Sequence, residues 1–181
     1  MNKSEIRKKI ILLRKNNYFK KLLINPNKLL DFLAKKRIKN KIVGGYYPYN
    51  FEIDTLEILK KLEKKNYLIS LPKVGKNNKM TFCQWSFKDP LSINTYGIPE
   101  PISKKKINPE ILLIPLVAFD SELNRLGYGG GFYDRYISSL QKYKRIIKIG
   151  LGFSFQQINK IPINQFDKKL DYIITDKNIL G

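Results

Sequence analysis

The stretch that decides the fold is Ile111-Leu112-Leu113-Ile114, which is followed by Arg125-Leu126-Gly127-Tyr128-Gly129-Gly130-Gly131-Phe132-Tyr133-Asp134-Arg135. The first four residues are the most hydrophobic run in the chain, and such a run predicts a central strand that is buried on both faces. Ligands of open α/β sheets bind beyond the carboxyl ends of the strands. The glycine-rich segment after this strand is therefore the first candidate site.

Glycine fills four of the five positions from 127 to 131. Such a backbone approaches a ligand closely, and its successive N–H groups can form an anion-binding nest. The helix predicted to follow adds its positive N-terminal end. Arg125 and Arg135 bracket the loop, and Asp134 brings a carboxylate for a magnesium ion that bridges phosphates. A flexible surface loop would explain the glycines but not these charges. The pattern indicates a phosphate site of unusual type, because Phe132 breaks the G-x-G-x-x-G fingerprint and no P-loop is present.

Helices and strands alternate along the chain. Four helices are predicted. The first spans residues 3 to about 20, and the second begins at Asn25-Pro26. The third begins at the capping-box spacing of Asp54 and Glu57, and the fourth runs from near Tyr133 through Leu140. The predicted strands are 41–47, 67–71 stopped by Pro72, 80–85, 111–114, 146–151 and 172–175, and residues 89–109 are expected to be irregular. This alternation predicts an α/β fold of three α/β/α layers with a mainly parallel central sheet, Rossmann-like, formed by residues 1–181 as a single domain.

Composition limits the available chemistry. The 181 residues contain no histidine and one cysteine, Cys83, which excludes Ser-His-Asp catalysis, His-ligated metals, internal disulfides and thiolate zinc clusters. Carboxylates, ammonium and guanidinium groups, phenols, hydroxyls and backbone N–H groups remain. With these donors the natural metal is a hard, oxygen-ligated ion such as Mg²⁺.

The net charge of +20 raises the question of nucleic-acid binding. However, 29 of the 35 basic residues are lysines that spread over the whole chain, without a basic block or an arginine-rich arm. This distribution indicates compositional bias and disfavours nucleic acid as the main partner. The N-terminal segment has an apolar run of only four residues, Ile10 to Leu13, too short for a signal peptide or a spanning helix. We therefore expect a cytoplasmic protein without a membrane partner.

The central motif also carries a family resemblance. The stretch Ile114 to Asp120 followed by Arg125 to Arg135 closely resembles the signature of 5-formyltetrahydrofolate cyclo-ligase, also called methenyltetrahydrofolate synthetase. Weaker matches occur in order along nearly the whole chain: Lys3 and Arg7, Tyr47-Pro48, Glu52 to Thr55, Leu71-Pro72, Gly97 to Pro101, Pro162, Asp167 and Ile174-Thr175. The resemblance implies a ligase that uses ATP and Mg²⁺ to close 5-formyltetrahydrofolate to 5,10-methenyltetrahydrofolate, releasing ADP and phosphate. It implies phosphorylation of the formyl oxygen and attack by N10.

The resemblance also implies roles for individual residues. The ATP-binding residues are Lys3, Arg7, Arg125, Gly127, Tyr128, Gly129, Gly130, Gly131, Phe132 and Tyr133, with Arg125 and Tyr133 also catalytic. The folate-binding residues are Tyr47, Glu52, Tyr128 and Phe132, and the magnesium ligands are Asp134 and Asp167. From the residues alone, Lys3 and Arg7 also fit a solvated helix face, Asp167 a surface acid, Glu52 a first-turn helix acid and Tyr47 a strand end. Phe82 and Trp85 fit ring stacking and a core equally well.

Three departures from the family pattern and two alternatives remain. Gly130 stands where the family often has lysine, and Phe132 replaces a common tyrosine. The segment Asn16 to Lys36 lacks the arginines usually seen in the region of the second helix. A non-enzymatic RNA-binding relative on the same fold would use the positive charge, and another kinase-like ligase would use the same phosphate loop. The expected partners are ATP and a reduced folate, and the protein is expected to be a monomer. A polyglutamate tail on the folate is a hypothesis suggested by the basic surface.

Overall fold

A seven-stranded, mostly parallel sheet forms the centre of the protein in the computed structural model, which describes residues 1–18, 22–38, 41–75 and 79–181. The strands are β1 (Ile42–Gly44), β2 (Leu68–Val74), β3 (Met80–Gln84), β4 (Leu91–Ile93), β5 (Pro99–Pro101), β6 (Ile111–Pro115), β7 (Ala118–Phe119), β8 (Arg125–Leu126), β9 (Ile147–Leu151), β10 (Tyr172–Ile174) and β11 (Ile179–Leu180). The helices are α1 (Lys3–Asn17), α2 (Pro26–Lys35), α3 (Leu56–Lys64) and α4 (Phe132–Leu140). Within the described residues, no helix is both long and apolar enough to cross a bilayer.

The order of the strands creates a topological switch point. The central sheet runs β11-β10-β9-β6-β1-β2-β3, and only the outer pairs β2–β3 and β10–β11 are antiparallel. From β1 the chain proceeds to β2 on one side, whereas from β6 it proceeds to β9 and β10 on the other. The chain therefore leaves the adjacent carboxyl ends of β1 and β6 in opposite directions. Sheets of this kind bind ligands in the crevice at this point.

Helices cover both faces of the sheet, which confirms the predicted α/β architecture. Along β6, Ile111 and Leu113 point to a core shared with α2 and α3, while Leu112 and Ile114 point to a core shared with α4. All four side chains are fully buried, as expected for a central parallel strand. Helix α1 instead packs its apolar side on the hairpin of β7 and β8.

The prediction that Pro72 stops a strand is wrong. Strand β2 continues to Val74, and Pro72 pairs with Phe82 of β3. Trp85 N–H donates to Ile69 O at 3.0 Å and Gly75 N–H to Lys79 O at 2.9 Å, so the odd positions of β2 bond to β3. The nitrogen of Pro72 therefore faces away from β3, toward the side where β1 has already ended, and its missing N–H leaves no ladder bond unmade.

Other predictions about the elements also differ from the structure. Residues 89–109 are not wholly irregular, because β4 and β5 pair as an antiparallel hairpin there. Asp54 and Glu57 form no capping box: helix α3 begins after Thr55, and Asp54 Oδ1 accepts from the N–H of Leu56 at 2.9 Å. Helix α1 ends at Asn17, and part of its predicted final turn, residues 19–21, lies outside the described residues.

Candidate active site

A cavity of about 1130 Å³ opens at the switch point between β1 and β6. Its floor includes Tyr46 and Tyr47, which follow β1, and Pro115, the last residue of β6. Typical sites for one small ligand occupy roughly 300–1,000 Å³. The cavity is therefore somewhat larger than the usual site for one small ligand.

The glycine-rich loop forms one end of this cavity. Gly129 and Gly131 have φ angles of +102° and +64°, a region that L side chains rarely adopt. Within the described part of the chain, the backbone N–H groups of residues 128–131 donate to no backbone carbonyl. Helix α4 starts at once after Gly131, without a side-chain cap on its first N–H groups. The loop and the helix end therefore present unused donors to an anion.

The hairpin of β7 and β8 holds Arg125 next to this loop. The buried carboxylate of Asp120 closes the hairpin turn by accepting from the N–H groups of Glu122 and Asn124, each at 3.0 Å. It also accepts from Ile161 N–H at 3.0 Å, which ties the hairpin to the later chain. The side chain of Arg125 is only 4% exposed. A rigid turn thus fixes the position of a nearly buried guanidinium.

Helix α1 brings two further cations to the same end. The Nε of Arg7 donates to Gly127 O at 2.8 Å, and its guanidinium packs so close to Gly129 that an added Cβ would lie 3.3 Å from it. Lys3 lies one turn earlier, on the same helix face, and also lines the cavity. The basic helix face predicted from the sequence is therefore turned toward the cavity.

The two carboxylates at this end are each paired with one of these cations. Arg125 contacts Asp134 at 2.8 Å, and Lys3 contacts Asp167 at 2.5 Å. Asp134 also accepts from Lys168 N–H at 3.1 Å. Residues that are about 160 positions apart in the chain, Lys3 and Asp167, thus meet across the cavity. Cations and carboxylates are thus both present at this end, and these are the groups that bind phosphates and a hard metal ion.

Glu52 lines a second part of the cavity, the Glu52 end, and lies on a strained turn. Asn50 and Phe51 have φ angles of 49° and 61°, which is uncommon for residues other than glycine and particularly so for phenylalanine. The turn is closed by Tyr49 N–H, which donates to Glu52 Oε2 at 2.9 Å. Such local strain persists where the surroundings impose it, often at functional sites. Desolvation by the surrounding protein raises the pKa of Glu52 to about 7.

Tyrosines surround Glu52. Tyr46, Tyr128 and Tyr133 all have a raised pKa, because burial disfavours the phenolate and the Glu52 charge repels it. Each phenol therefore stays protonated and remains able to donate a hydrogen bond. The hydroxyl of Tyr133 is buried and has no partner within the described residues. An unpaired buried donor of this kind costs about 1–3 kcal/mol unless a ligand satisfies it.

Sequence reasoning missed Arg14. It is only 2% exposed, and its terminal nitrogen donates to the hydroxyl of Tyr128. Its guanidinium carbon lies 5.4 Å from the centroid of the Tyr128 ring. The sequence did contain a signal for its burial. Residue 14 continues the apolar stripe of Ile6 and Ile10 at four-residue spacing, so a side chain at this position faces the core.

The structure brings every predicted site residue to this one cavity. Lining residues include Lys3, Arg7, Tyr47, Glu52, Arg125, Gly127, Tyr128, Gly129, Gly130, Gly131, Phe132, Tyr133, Asp134 and Asp167. Arg135 also lines the cavity, with its guanidinium over the Phe132 ring. Phe82 and Trp85, for which stacking on a ligand was one prediction, are instead 1% and 5% exposed core residues.

The fold and the cavity together define an α/β protein with a basic, glycine-rich pocket at the carboxyl edge of its sheet. The model of the 5-formyltetrahydrofolate cyclo-ligase family matches residues 1–176. The chain belongs to this family of enzymes, as its sequence motif had indicated.

Relatives of known name agree with this family. The chain is 33% identical over 148 residues to the 5-formyltetrahydrofolate cyclo-ligase of Haemophilus influenzae, covering 78% of each chain. It is 31% identical over 182 residues to that of Mycoplasma genitalium, covering 96% of this chain and 98% of the relative. The NMR structure of Aquifex aeolicus 5,10-methenyltetrahydrofolate synthetase matches with a TM-score of 0.81 and 31% identity, covering 99% of this chain and 92% of that one. A synthetase structure from Mycoplasma pneumoniae gives a TM-score of 0.72 and 26% identity, covering 98% and 100%.

Proposed function

We propose that the protein converts 5-formyltetrahydrofolate to 5,10-methenyltetrahydrofolate, with ATP as the co-substrate and Mg²⁺ as the metal. The carrying observation is that a chain of this family gathers a glycine-rich loop, paired charges and a desolvated carboxylate in one cavity of about 1130 Å³. That volume suits two substrates in contact. The polar groups at its two ends suit different ligands, a polyphosphate and a flat heterocycle.

The glycine-rich end would hold the phosphates of ATP. The donors are the free N–H groups of residues 128–131 and the start of α4, with Lys3, Arg7 and Arg125 supplying positive charge. Phosphoryl transfer depends mainly on positioning and on neutralising charge. A chain without histidine can therefore carry it out.

The residues present also fit a magnesium ion. The described residues contain no cluster of three acidic, histidine or cysteine side chains. Mg²⁺, however, is commonly held by one or two carboxylates together with substrate phosphates. Asp134 and Asp167 would be these ligands, and Arg125 and Lys3 would then turn from them to the phosphates. Bound there, the ion would neutralise phosphate charge during transfer.

The Glu52 end would hold the reduced folate. A pterin presents a ring N–H and an amino group on one edge, and an ionised carboxylate accepts both through paired hydrogen bonds. Tyr47, Tyr128 and Phe132 line the walls as apolar, planar surfaces. The desolvation that raises the pKa of Glu52 strengthens any such hydrogen bond once the ligand excludes water.

The proposed reaction has two steps, phosphoryl transfer and ring closure. The formyl oxygen attacks the γ-phosphorus of ATP, and ADP leaves with the electrons of the broken P–O bond. N10 then adds to the activated formyl carbon and loses its proton, and the former formyl oxygen departs within inorganic phosphate, which can accept that proton. Arg125 would stabilise the charge on the transferring group. Tyr133, which stays protonated, would donate to a substrate oxygen.

The direct test is an absorbance assay for the methenyl product with purified protein. Product should form only when protein, ATP, Mg²⁺ and 5-formyltetrahydrofolate are all present, with one ADP released per product. A family enzyme of known activity, assayed in parallel, shows that the reagents are sound. Folded protein that turns over no substrate beside an active reference would overturn the proposal.

A further inference from the structure

Arg14 occupies a buried position where an apolar side chain would have a lower free energy of burial. It continues the buried stripe of Ile6 and Ile10 on α1, yet it carries a charge that is 98% covered. Its Nε is buried without a hydrogen-bond partner in the described residues. Burial of a charge with an unmade hydrogen bond is unfavourable unless an opposite charge or a ligand compensates it.

Arg14 does not line the cavity itself; it lies behind Tyr128, which does and whose hydroxyl accepts a hydrogen bond from Arg14. The opposite charge on which Arg14 acts is that of Glu52, although the two groups form no ion pair within 4 Å. The positive charge of Arg14 opposes the rise that desolvation causes in the pKa of Glu52. The ionisable or polar groups that face Glu52 are Arg14 from α1, Tyr46 and the Tyr49 N–H from the segment after β1, Tyr128 from the glycine-rich loop, and Tyr133 from α4. Arg14 is the only cation in this set.

The side chain of Tyr128 connects Arg14 to the turn that carries Glu52. Tyr128 belongs to the loop of the phosphate end, and its hydroxyl accepts a hydrogen bond from Arg14. Its ring also contacts Tyr49, which sits on the same turn as Glu52, with 6.2 Å between the ring centroids. One guanidinium thus holds a wall residue in place and faces the carboxylate at the folate end.

We propose that Arg14 is a positioning residue for the reduced folate: it fixes Tyr128 in the cavity wall and supplies the positive charge that Glu52 faces. The role rests on the proposed function, since the ligand it serves is the pterin bound by Glu52. Arg14 touches no substrate. It acts through Tyr128 and Glu52.

The test compares Arg14→Met, which keeps the length of the side chain but removes the charge, with the wild type. The matched control is Lys15→Met, which removes a charge from an exposed neighbour on the same helix. Arg14→Lys keeps the charge but not the forked geometry. The first measurement is the titration midpoint of Glu52 in the ligand-free protein, by carbon NMR of labelled carboxyl groups. The Glu52→Gln variant assigns the Glu52 signal. The second measurement is the Kd of 5-formyltetrahydrofolate and of ATP, by calorimetry.

Arg14→Met should move the Glu52 midpoint to higher pH and raise the folate Kd at pH 7 by roughly fivefold, because a rise of about one unit from a pKa of about 7 lowers the ionised fraction from about one half to about one tenth. The ATP Kd should stay unchanged, and Lys15→Met should match the wild type throughout. Arg14→Lys should keep the midpoint while raising the folate Kd about twofold to threefold, because the charge remains and the contact with Tyr128 is weakened.

Arg14→Met with the wild-type midpoint and the wild-type folate Kd would overturn the proposal. If Arg14→Met does not fold, Arg14→Lys decides, and an unchanged folate Kd in that variant counts against the positioning role. A wild-type protein that binds no reduced folate contradicts the proposed function instead. The NMR titration, which needs no ligand, still tests the coupling between Arg14 and Glu52 in that case.

Discussion

The two ends of the cavity handle charge in opposite ways. At the glycine-rich end, carboxylates and cations are paired directly, as in Arg125–Asp134 at 2.8 Å and Lys3–Asp167 at 2.5 Å. At the other end, Glu52 has no ion pair within 4 Å in the described residues, and desolvation raises its pKa to about 7. At the first end each carboxylate is neutralised by a cation, whereas at the second end a carboxylate is poorly solvated and has no direct ion pair among the described residues.

The difference matches the ligands that each end is proposed to bind. A magnesium polyphosphate brings both signs of charge, so each member of a preformed pair gains a new partner when the pair separates. A pterin edge is nearly neutral and brings only N–H donors. A poorly solvated carboxylate gains most from such donors, because it gives up little water to accept them.

The largest expected effect is at the glycine-rich end. Arg125→Ala removes the guanidinium that pairs with Asp134 and would face the transferring phosphoryl group. We expect kcat to fall by about 10³-fold, in line with the loss of a positioned charge donor. Steady-state kinetics measures this, with a melting curve to show that the variant is folded.

The matched control is Arg145→Ala, since Arg145 is exposed and does not line the cavity. Its kcat should equal that of the wild type. Equal activity of Arg125→Ala and Arg145→Ala would show that Arg125 takes no part in the reaction.

Asp134→Asn should have the next largest effect. The amide keeps the size of the side chain but loses the charge, so the variant should need roughly 10- to 100-fold more Mg²⁺ for half-maximal rate. Calorimetry of ATP binding at low and high Mg²⁺ gives a second readout, in which the variant should lose the enhancement by metal. Asp31→Asn, on the exposed surface of α2, is the control. A wild-type magnesium requirement in Asp134→Asn would show that Asp134 is not a ligand.

Glu52 should make the folate end sensitive to pH. Its raised pKa of about 7 means that the carboxylate is ionised above pH 7 and protonated below it. A protonated acid accepts fewer hydrogen bonds from a pterin, so kcat/KM for the folate should fall as the pH drops through 7. The ATP Kd should not follow this profile.

Glu52→Gln separates this cause from other titrations. The variant should lose roughly 10- to 100-fold in kcat/KM at pH 8, because a charged acceptor is replaced by a neutral amide, and the fall around pH 7 should disappear. Glu57→Gln, an exposed acid of α3, should retain the wild-type profile. A fall near pH 7 that persists in Glu52→Gln would assign it to another group.

The smallest expected effect concerns the shape of the loop. At Gly129 an alanine would be strained by the φ of +102° and would lie 3.3 Å from the Arg7 guanidinium, so the ATP KM should rise by about tenfold. Gly97→Ala is the control, since it has a φ of +75° but nothing within 4 Å of the added carbon. Both variants should lose about 1 kcal/mol of stability, and only the first should bind ATP less well. Equal ATP KM values would argue against an anion in this loop.

Much of the architecture was predictable because it depends on local patterns. The run at 111–114 predicted a central strand, and the glycines at 127–131 predicted a loop that leads into a helix. Pro72 misled the prediction because a proline fits a strand where its nitrogen faces no neighbouring strand. The nitrogen of Pro72 faces the side of β1, and β1 ends at Gly44, opposite Ser70 and two residues before Pro72.

The glycine-rich loop with Arg125 and Asp134 was predictable from the residues themselves, whereas the other residues of the candidate site were predictable only through the family motif. From the residues alone, Asp167 and Lys3 also fit surface charges, and no spacing indicates that they meet at 2.5 Å. Arg14 was missed because an arginine in an amphipathic helix is usually exposed, although its position in the apolar stripe marked it as buried.

The sequence by itself determined the alternation of strands and helices, the glycine loop and a chemistry without histidine, because these follow from neighbouring residues and from composition. The tertiary structure alone decided which acid meets which base, and how far Glu52 is removed from water. Those properties arise where α1, β1 and β6 bring distant segments to one cavity, and contacts over such separations depend on the order of the strands in the sheet.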